Sequence, residues 1–366
     1  MMRGKRILAV VTELFGNRAL SHVLVNKIKE LVDYDVRCLF IKGEDYGTYL
    51  KKCTFSNALD MAIVARKKFK ERIEFDYDYL LINGYEIGYG LYEEVRSHPV
   101  ILGLDSVPSA VHESLNRVRV NPAAKLKSMA ALPVTRWLFG RVFKDIRAFM
   151  PMSEWCGQAL RRDYGIPEEK IFVTHCPVDL NVWTPLRDKK SGDKIKLLFV
   201  GNDFYRKGGD MLVRIFEQRF ISQPVALTIV SNDPSLSRED MPKGVTLLND
   251  VPHGEIAGVF QDSDIFLFPT KKEYLGVAAI EAAAVGLPII ARDVGGLREF
   301  IFDGDNGFLM PYKSGEEEWV EKIQYLIDRP EERKRMGRRS RWIAEKMFGM
   351  ERFETLVRNV LSKLEA

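Results

Sequence analysis

The sequence predicts an α/β protein of two domains, each built on a parallel sheet. Its 366 residues are long for a single hydrophobic core, so two domains are the natural division. Its apolar segments at 265–268 and 289–291 are short continuous runs, the pattern of strands covered on both faces. These runs alternate with helical stretches, and only helices on both sides of a sheet give such cover.

Composition narrows the class. The 55 basic and 51 acidic residues leave a net charge of +4, so the balance demands no nucleic-acid partner and any basic role must be local. Cys38, Cys53, Cys156 and Cys176 lack metal-ligand spacing and read as reduced thiols of a cytosolic protein. The apolar run at 7–11 is too short for a signal-peptide core and is interrupted by Glu13. No run reaches the ~18 apolar residues of a spanning helix. The expectation is a cytoplasmic protein that touches a membrane, if at all, from inside.

In the first domain, a strand at 5–11 leads through TELFGNR to a helix at 19–31. A dinucleotide oxidoreductase would place G-x-G-x-x-G in that turn; only Gly16 is present, which argues against hydride transfer and leaves the turn to face a ligand. A strand at 35–41, a helix at 49–72 with a solvated basic end, and strands at 77–83 and 100–104 continue the alternation. Asp105 and Ser106 close the last of these at its carboxyl end, where open α/β sheets bind ligands.

From 117 to 147 the charge is one-sided, with Arg117, Arg119, Lys125, Lys127, Arg136, Arg141, Lys144 and Arg147 against Asp145. Trp137, Leu138, Phe139, Val142, Phe143, Ile146 and Phe149 recur at helical spacing, so the second half is an amphipathic helix. Two readings stand: a helix packed on its domain with a wet basic side, or a surface for anionic lipid headgroups or a lipid-diphosphate acceptor. A strand at 149–152 follows, and the polar stretch at 186–194 is the linker.

The second domain opens with the strand at 195–200, the turn GNDFYRKGG, and a helix at 210–220. The turn is not a P-loop, since G-x4-GK-[ST] is absent. Strands at 226–231 and 245–248 precede VPHGEIAGVF, whose Val251, Pro252 and His253 are candidates to meet a nucleotide base. FDGDNG at 302–307 lacks an EF-hand's ligand run and terminal Glu and reads as a turn. Residues 316–363 are helical, with breaks near Pro330 and 348–350.

The chemistry lies in 264–307. Glu273 stands just ahead of a helix at 277–285 and Glu281 inside it, so two carboxylates can face one cavity. Between them Tyr274, Leu275, Gly276 and Val277 supply the amides that a helix N-terminus leaves unpaired, a setting for phosphate. The helix carries five alanines, which permit close approach, before Gly286 and Pro288 stop it. Acids beside a phosphate site suit a nucleotide with hydroxyls, and a nucleotide sugar fits.

E-x7-E followed by A-x-G-x-P and GG-x-x-E resembles the retaining glycosyltransferases of family 4. The resemblance implies the GT-B fold: two Rossmann-like domains facing each other across a cleft, 1–184 with a returning C-terminal helix at about 350–366, and 185–349. The segments SEWC, YGIPEEKI and VDLNVWTP are similar to further family motifs. The family's G-R-x4-K-G turn maps onto Gly201 and Lys207, with Asn202 in the Arg position and Arg206 as its replacement. Relatives often pair an Asp with a His where this chain has Asp105 and Leu104; Asp105 is carried over and His112 is the candidate stand-in.

The implied reaction moves a sugar from a nucleotide-diphosphate donor to a hydroxyl of a sugar, glycan or lipid-linked acceptor. Lys207, Arg206 and the amides at 275–277 would stabilise the leaving diphosphate without a metal or other cofactor. Glu281 would hold the ribose and Glu273 the transferred sugar, with Gly16, Gly201, Tyr274, Leu275, Gly276 and Val277 lining the donor. A glycosidase would use the acid pair differently and leaves the helix-end phosphate site unexplained. The alternatives are a GT-B epimerase or phosphorylase, and a non-catalytic nucleotide- or partner-binding protein.

Overall fold

A computed structural model describes residues 5–12, 28–30, 34–42, 45, 57–73, 75–116, 122–186, 194–252 and 254–365. The chain falls into two compact units, Met1–Pro177 with Glu351–Ala366, and Val178–Met350.

The first unit carries five strands, β1 Arg6–Thr12, β2 Asp35–Ile41, β3 Tyr79–Asn83, β4 Val100–Leu104 and β5 Ala148–Pro151. They are parallel, in the order β2-β1-β3-β4-β5. The strands inside the edge strand β2 are apolar on both faces, as covered strands must be, and β4 is buried at every position. Helix Pro122–Asp145 contributes Phe139 and Phe143, which stack edge-on or tilted along Phe149 of β5 to form one wall of the core.

That helix corrects one expectation. Phe139, Val142, Phe143 and Ile146 are buried, but Trp137 is 60% exposed. Leu126, Met129 and Val134 are exposed with it. Positions 126, 129, 134 and 137 follow the helical repeat, so an apolar stripe runs along the outer face. Arg141 lies over the Trp137 ring at 5.1 Å. Among the described residues no helix is long and apolar enough to cross a membrane.

The second unit holds β6 Ile195–Val200, β7 Val225–Val230, β8 Val245–Leu248, β9 Ile265–Phe268, β10 Ile289–Arg292 and β11 Gly307–Met310. They form a parallel sheet in the order β11-β10-β9-β6-β7-β8. Strand β11 was not expected from the sequence: FDGDNG leads into a run of four residues beginning at its own glycine. Helices Glu316–Asp328 and Pro330–Met347 back this sheet, with Trp319, Ile323, Leu326 and Met336 in the core.

The handover between units lies at 177/178 rather than at 184/185, because 178–184 packs with the second unit. The Val178 amide donates to the Phe348 carbonyl at 2.8 Å, Trp183 stands edge-on to Phe260, and Arg341 donates to the Trp183 carbonyl at 2.6 Å. The C-terminal helix Met350–Glu365 is fastened within the first unit, where Lys363 lies 4.8 Å above the Phe172 ring.

Candidate functional site

In the second unit the chain runs from β6 outward through β7 to β8, then returns to place β9 on the other side of β6. The order therefore reverses between β6 and β9. In parallel sheets the crevice at such a point, beyond the carboxyl ends of the strands, is where ligands bind. Two loops emerge there, 201–208 after β6 and 269–276 after β9.

Glycines shape the first loop. A Cβ on Gly201 would stand 2.4 Å from Lys207 Cδ, so the lysine stem runs over the space a side chain would fill. Gly208 takes φ +79 against the Pro269 carbonyl, and Gly209 lets the Phe204 ring pack onto helix Gly209–Ile215. Lys207 is thereby aimed across to the second loop. Its Nζ lies 3.4 Å from Glu273 Oε2 and 5.1 Å from the centre of the Phe268 ring.

The second loop is tied to the first. Arg206 donates to the Lys272 carbonyl and pairs with Asp203, while the Lys271 amide donates to the Arg206 carbonyl at 3.0 Å. The Arg206 side chain thus acts on the loop backbone, apart from the Lys207–Glu273 pair. Thr270, fully buried, donates to the Lys272 carbonyl from beneath. Gly295, at φ +57, fits under the Glu273 carbonyl, where a Cβ would come within 2.3 Å, and the Gly296 amide donates to the Tyr274 carbonyl at 2.9 Å. The glycine pair is therefore a support for the loop that carries Glu273.

Glu273 Oε1 accepts from the Tyr274 amide at 3.3 Å. Its Oε2 is buried and makes no hydrogen bond, having only the longer ion-pair contact with Lys207. Gly276, at φ +81, caps helix Val277–Ala284, and no side chain caps that end. Among the described residues nothing accepts from the amides of Leu275, Gly276, Val277 or Ala278. Four donors at one helix end, beside a cation, form a site for negative charge. Leu275 is buried beneath them and Val277 exposed.

Glu281 lies on the same helix, partly exposed and set among buried alanines. Burial pushes its carboxyl up to about 8, and the Lys207 charge pulls the other way. One ammonium group thus acts on both predicted carboxylates. Asn202 supplies no charge; its side chain accepts from the Asn232 amide at 3.1 Å and holds the β6 and β7 loops together.

In the first unit Asp105 follows β4 and accepts from Ser106 Oγ at 2.9 Å. The order of that sheet reverses between β1 and β3, and the polar groups gather at its carboxyl edge: Thr12 ends β1, Asn83 ends β3, and both are buried. Glu86 enters there after Gly84, whose φ of +115 turns the chain into helix Tyr85–Gly90. Burial, with the Asp105 charge adding to it, pushes Glu86 up to about 7. The sequence reading missed Glu86. Its only signal was an acid two residues past a strand and a glycine. His112 lies partly buried in helix Pro108–Asn116. Gly16 and His253 lie outside the described residues. Among the described residues no group of His, Cys, Asp and Glu could hold a metal ion.

Residues 186–342 match the family model Glycosyl transferases group 1. A D-inositol 3-phosphate glycosyltransferase of Arthrobacter sp. (strain FB24) is 32% identical over 195 residues, 48% of this chain and 46% of the relative. One of Mycobacterium tuberculosis is 30% identical over 187 residues, 45% of this chain and 37% of the relative. The chain spans about half the length of the curated relatives it matches.

Among solved structures, sucrose-phosphate synthase from Thermosynechococcus elongatus superposes with a TM-score of 0.79 at 17% identity, covering 99% of each chain. Anabaena HepE in complex with UDP and glucose gives 0.71 at 17% identity, covering 98% of this chain and 99% of that one. The fold is GT-B, two Rossmann-like α/β units.

Proposed function

We propose that the chain transfers a sugar, with retention of anomeric configuration, from a nucleotide-diphosphate donor to an acceptor hydroxyl, as a member of glycosyltransferase family 4. The observation that carries this reading is the pair Lys207 and Glu273, 3.4 Å apart where the order of the second sheet reverses, beside a helix end with unclaimed amides.

The donor diphosphate sits at that helix end, taking hydrogen bonds from the amides at 275–278 and the charge of Lys207. Binding draws Lys207 from Glu273 to the phosphate and releases the carboxylate to accept from hydroxyls of the sugar. Glu281, neutral at pH 7 in the free protein, meets the ribose hydroxyls. Arg206 serves the donor by fixing the second loop. The bond from the sugar's C1 to the diphosphate oxygen breaks as the acceptor oxygen bonds to C1 on the same face. The acceptor's proton goes to the leaving phosphate oxygen. Stabilisation of that developing charge is the main catalytic contribution, and Lys207 with the amides supplies it.

UDP-glucose is the first donor to test, because HepE was solved in complex with it. The curated relatives' name makes inositol phosphate one acceptor to try, beside sugar and lipid-linked acceptors of surface glycans. Asp105 and Glu86 are the first unit's candidates for acceptor hydroxyls. The stripe at 126–137, flanked by Arg136, Arg141 and Lys144, is the candidate contact with an anionic membrane.

A second reading, a nucleotide-binding protein without turnover, draws on Asn202 and Leu104 standing where relatives carry Arg and His. Release of free nucleotide diphosphate from a panel of nucleotide sugars separates the two. Turnover that is lost in Glu273→Gln and Lys207→Ala supports transfer. Nucleotide binding without turnover, across every donor and acceptor, sinks it in favour of the binding protein.

A further inference from the structure

The amino edge of the second unit's sheet, at the opposite end of the strands from the Lys207–Glu273 site, holds a feature that sugar transfer does not use. A cavity of about 510 Å³ opens there between the starts of β9 and β10 and helix Pro330–Met347. Its charged lining is Arg333, Lys334, Arg338 and Arg341 against a single carboxylate, Asp264.

The four cations are not equivalent. Arg341 is consumed by structure, donating to the carbonyls of Trp183, Ala284 and Leu180 and pairing with Glu345. Arg333 uses only Nη1, on the Leu326 and Ile327 carbonyls at 2.6 and 3.2 Å; its Nε and Nη2 bond to no described residue. Burial holds that guanidinium below the ordinary arginine value, with the Asp264 charge opposing. Arg338 bonds to no described residue, and Lys334 meets only the exposed Glu331.

The walls are firm. A Cβ on Gly337 would stand 2.3 Å from the Gly286 carbonyl, so the helix is seated directly on the turn ahead of β10.

We propose that this cavity is a second anion site, taking a phosphate-bearing molecule with a small organic body. Spare guanidinium donors in partly desolvated surroundings favour an oxyanion that accepts more than one hydrogen bond, and phosphate does so in the forked geometry of arginine. The volume suits a ligand of sugar-phosphate size, and Leu287 and Pro288 offer apolar cover to its body. Two sources present this chemistry: a soluble sugar phosphate and the headgroup of a phospholipid.

The test uses the full chain carrying Lys207→Ala, so that the first site's cation does not contribute. Glucose 6-phosphate is titrated calorimetrically, and phosphatidylglycerol vesicles are offered in a sedimentation assay. The same is done after adding Lys334→Ala and Arg338→Ala, both exposed positions, with circular dichroism to verify folding. Saturable binding of either probe, weakened at least about tenfold by the added pair and by rising salt, is the expected result. Binding of glucose 6-phosphate assigns the soluble source, and vesicle binding that the added pair weakens, without binding of glucose 6-phosphate, assigns the headgroup. Equal binding with and without the pair, or no binding of either probe at millimolar concentration, overturns the proposal.

Discussion

The side chain of Lys207 occupies the place that a residue larger than glycine would need at position 201. The contact, 2.4 Å from the absent Cβ to Lys207 Cδ, involves a flexible stem, whereas the next neighbour, the Phe199 ring, is 3.3 Å away. Gly201→Ala should therefore move the lysine before it disturbs the core. The expected outcome is a fall in stability of less than about 1 kcal/mol, measured by urea unfolding. Donor KM should rise about tenfold or more, as a charge-assisted contact to the diphosphate is lost. A large loss of stability with unchanged KM would contradict this account of the glycine.

Glu281 gives the site a pH signature. Its carboxyl is raised to about 8 by burial, against 4.5 for the unperturbed group. The sign follows from proton counting. Between those values the folded protein holds a proton that the unfolded chain has released, so stability falls as pH rises through this window and is lowest above about 8. The Glu281→Gln variant lacks this slope. Relative to wild type it should gain stability from pH 5 to pH 9, by a few kcal/mol as an order of magnitude. Lys207→Ala should shift the upper end of the window to higher pH, because the lysine charge lowers the Glu281 value. Thermal unfolding across pH for the three proteins checks both statements.

Gly295 is a more demanding position than Gly201, because what stands in the way is backbone. A Cβ there meets the Glu273 carbonyl at 2.3 Å and the Tyr274 carbonyl at 2.9 Å. Gly295→Ala must lift the loop that carries Glu273 away from Lys207. We expect a cost of about 1–3 kcal/mol in stability together with a drop in kcat. The nucleotide alone should still bind, though more weakly, since Lys207 and the amides within the helix stay in place while the Leu275 amide moves with the Tyr274 carbonyl. Thermal shift with UDP beside kcat with UDP-glucose distinguishes a displaced loop from a lost site.

Much of this was open to reading in the chain, for a physical reason. Strands buried on both faces must be continuously apolar, so 265–268 and 289–291 announce themselves, and a helix that begins at glycine and runs through alanines is as plain. The pairing of Lys207 with Glu273 was less so. Their loops are far apart in sequence, and only the reversal between β6 and β9 makes them neighbours. The direction of Arg206 was not readable at all, because its guanidinium is turned by a backbone carbonyl, that of Lys272, which no motif encodes. Glu86 escaped for a similar reason: it joins Asp105 only once β3 and β4 are known to be adjacent.

Trp137 shares the helical spacing of Phe139 and Phe143 but is among the most exposed apolar side chains, which makes the helix 122–145 a test of membrane contact. Exposure of Leu126 at 69% and Trp137 at 60% leaves two large apolar groups on one helical face. Arg141, over the Trp137 ring, sets a cation at the same level. Water gains nothing from such a face, whereas a bilayer interface takes the apolar tips inward and holds the cations against anionic headgroups. Each large side chain that enters the interface contributes about 1–3 kcal/mol, and each basic residue near the surface about 1 kcal/mol. Replacing Leu126 and Trp137 with Gln should thus weaken sedimentation with anionic vesicles by about a hundredfold, with the remaining binding abolished by salt. Catalysis toward a soluble acceptor should be unchanged, because neither residue belongs to the second unit's site. Equal vesicle binding by the variant and wild type would leave the stripe without a role at the membrane, and the basic residues alone would then account for any attraction.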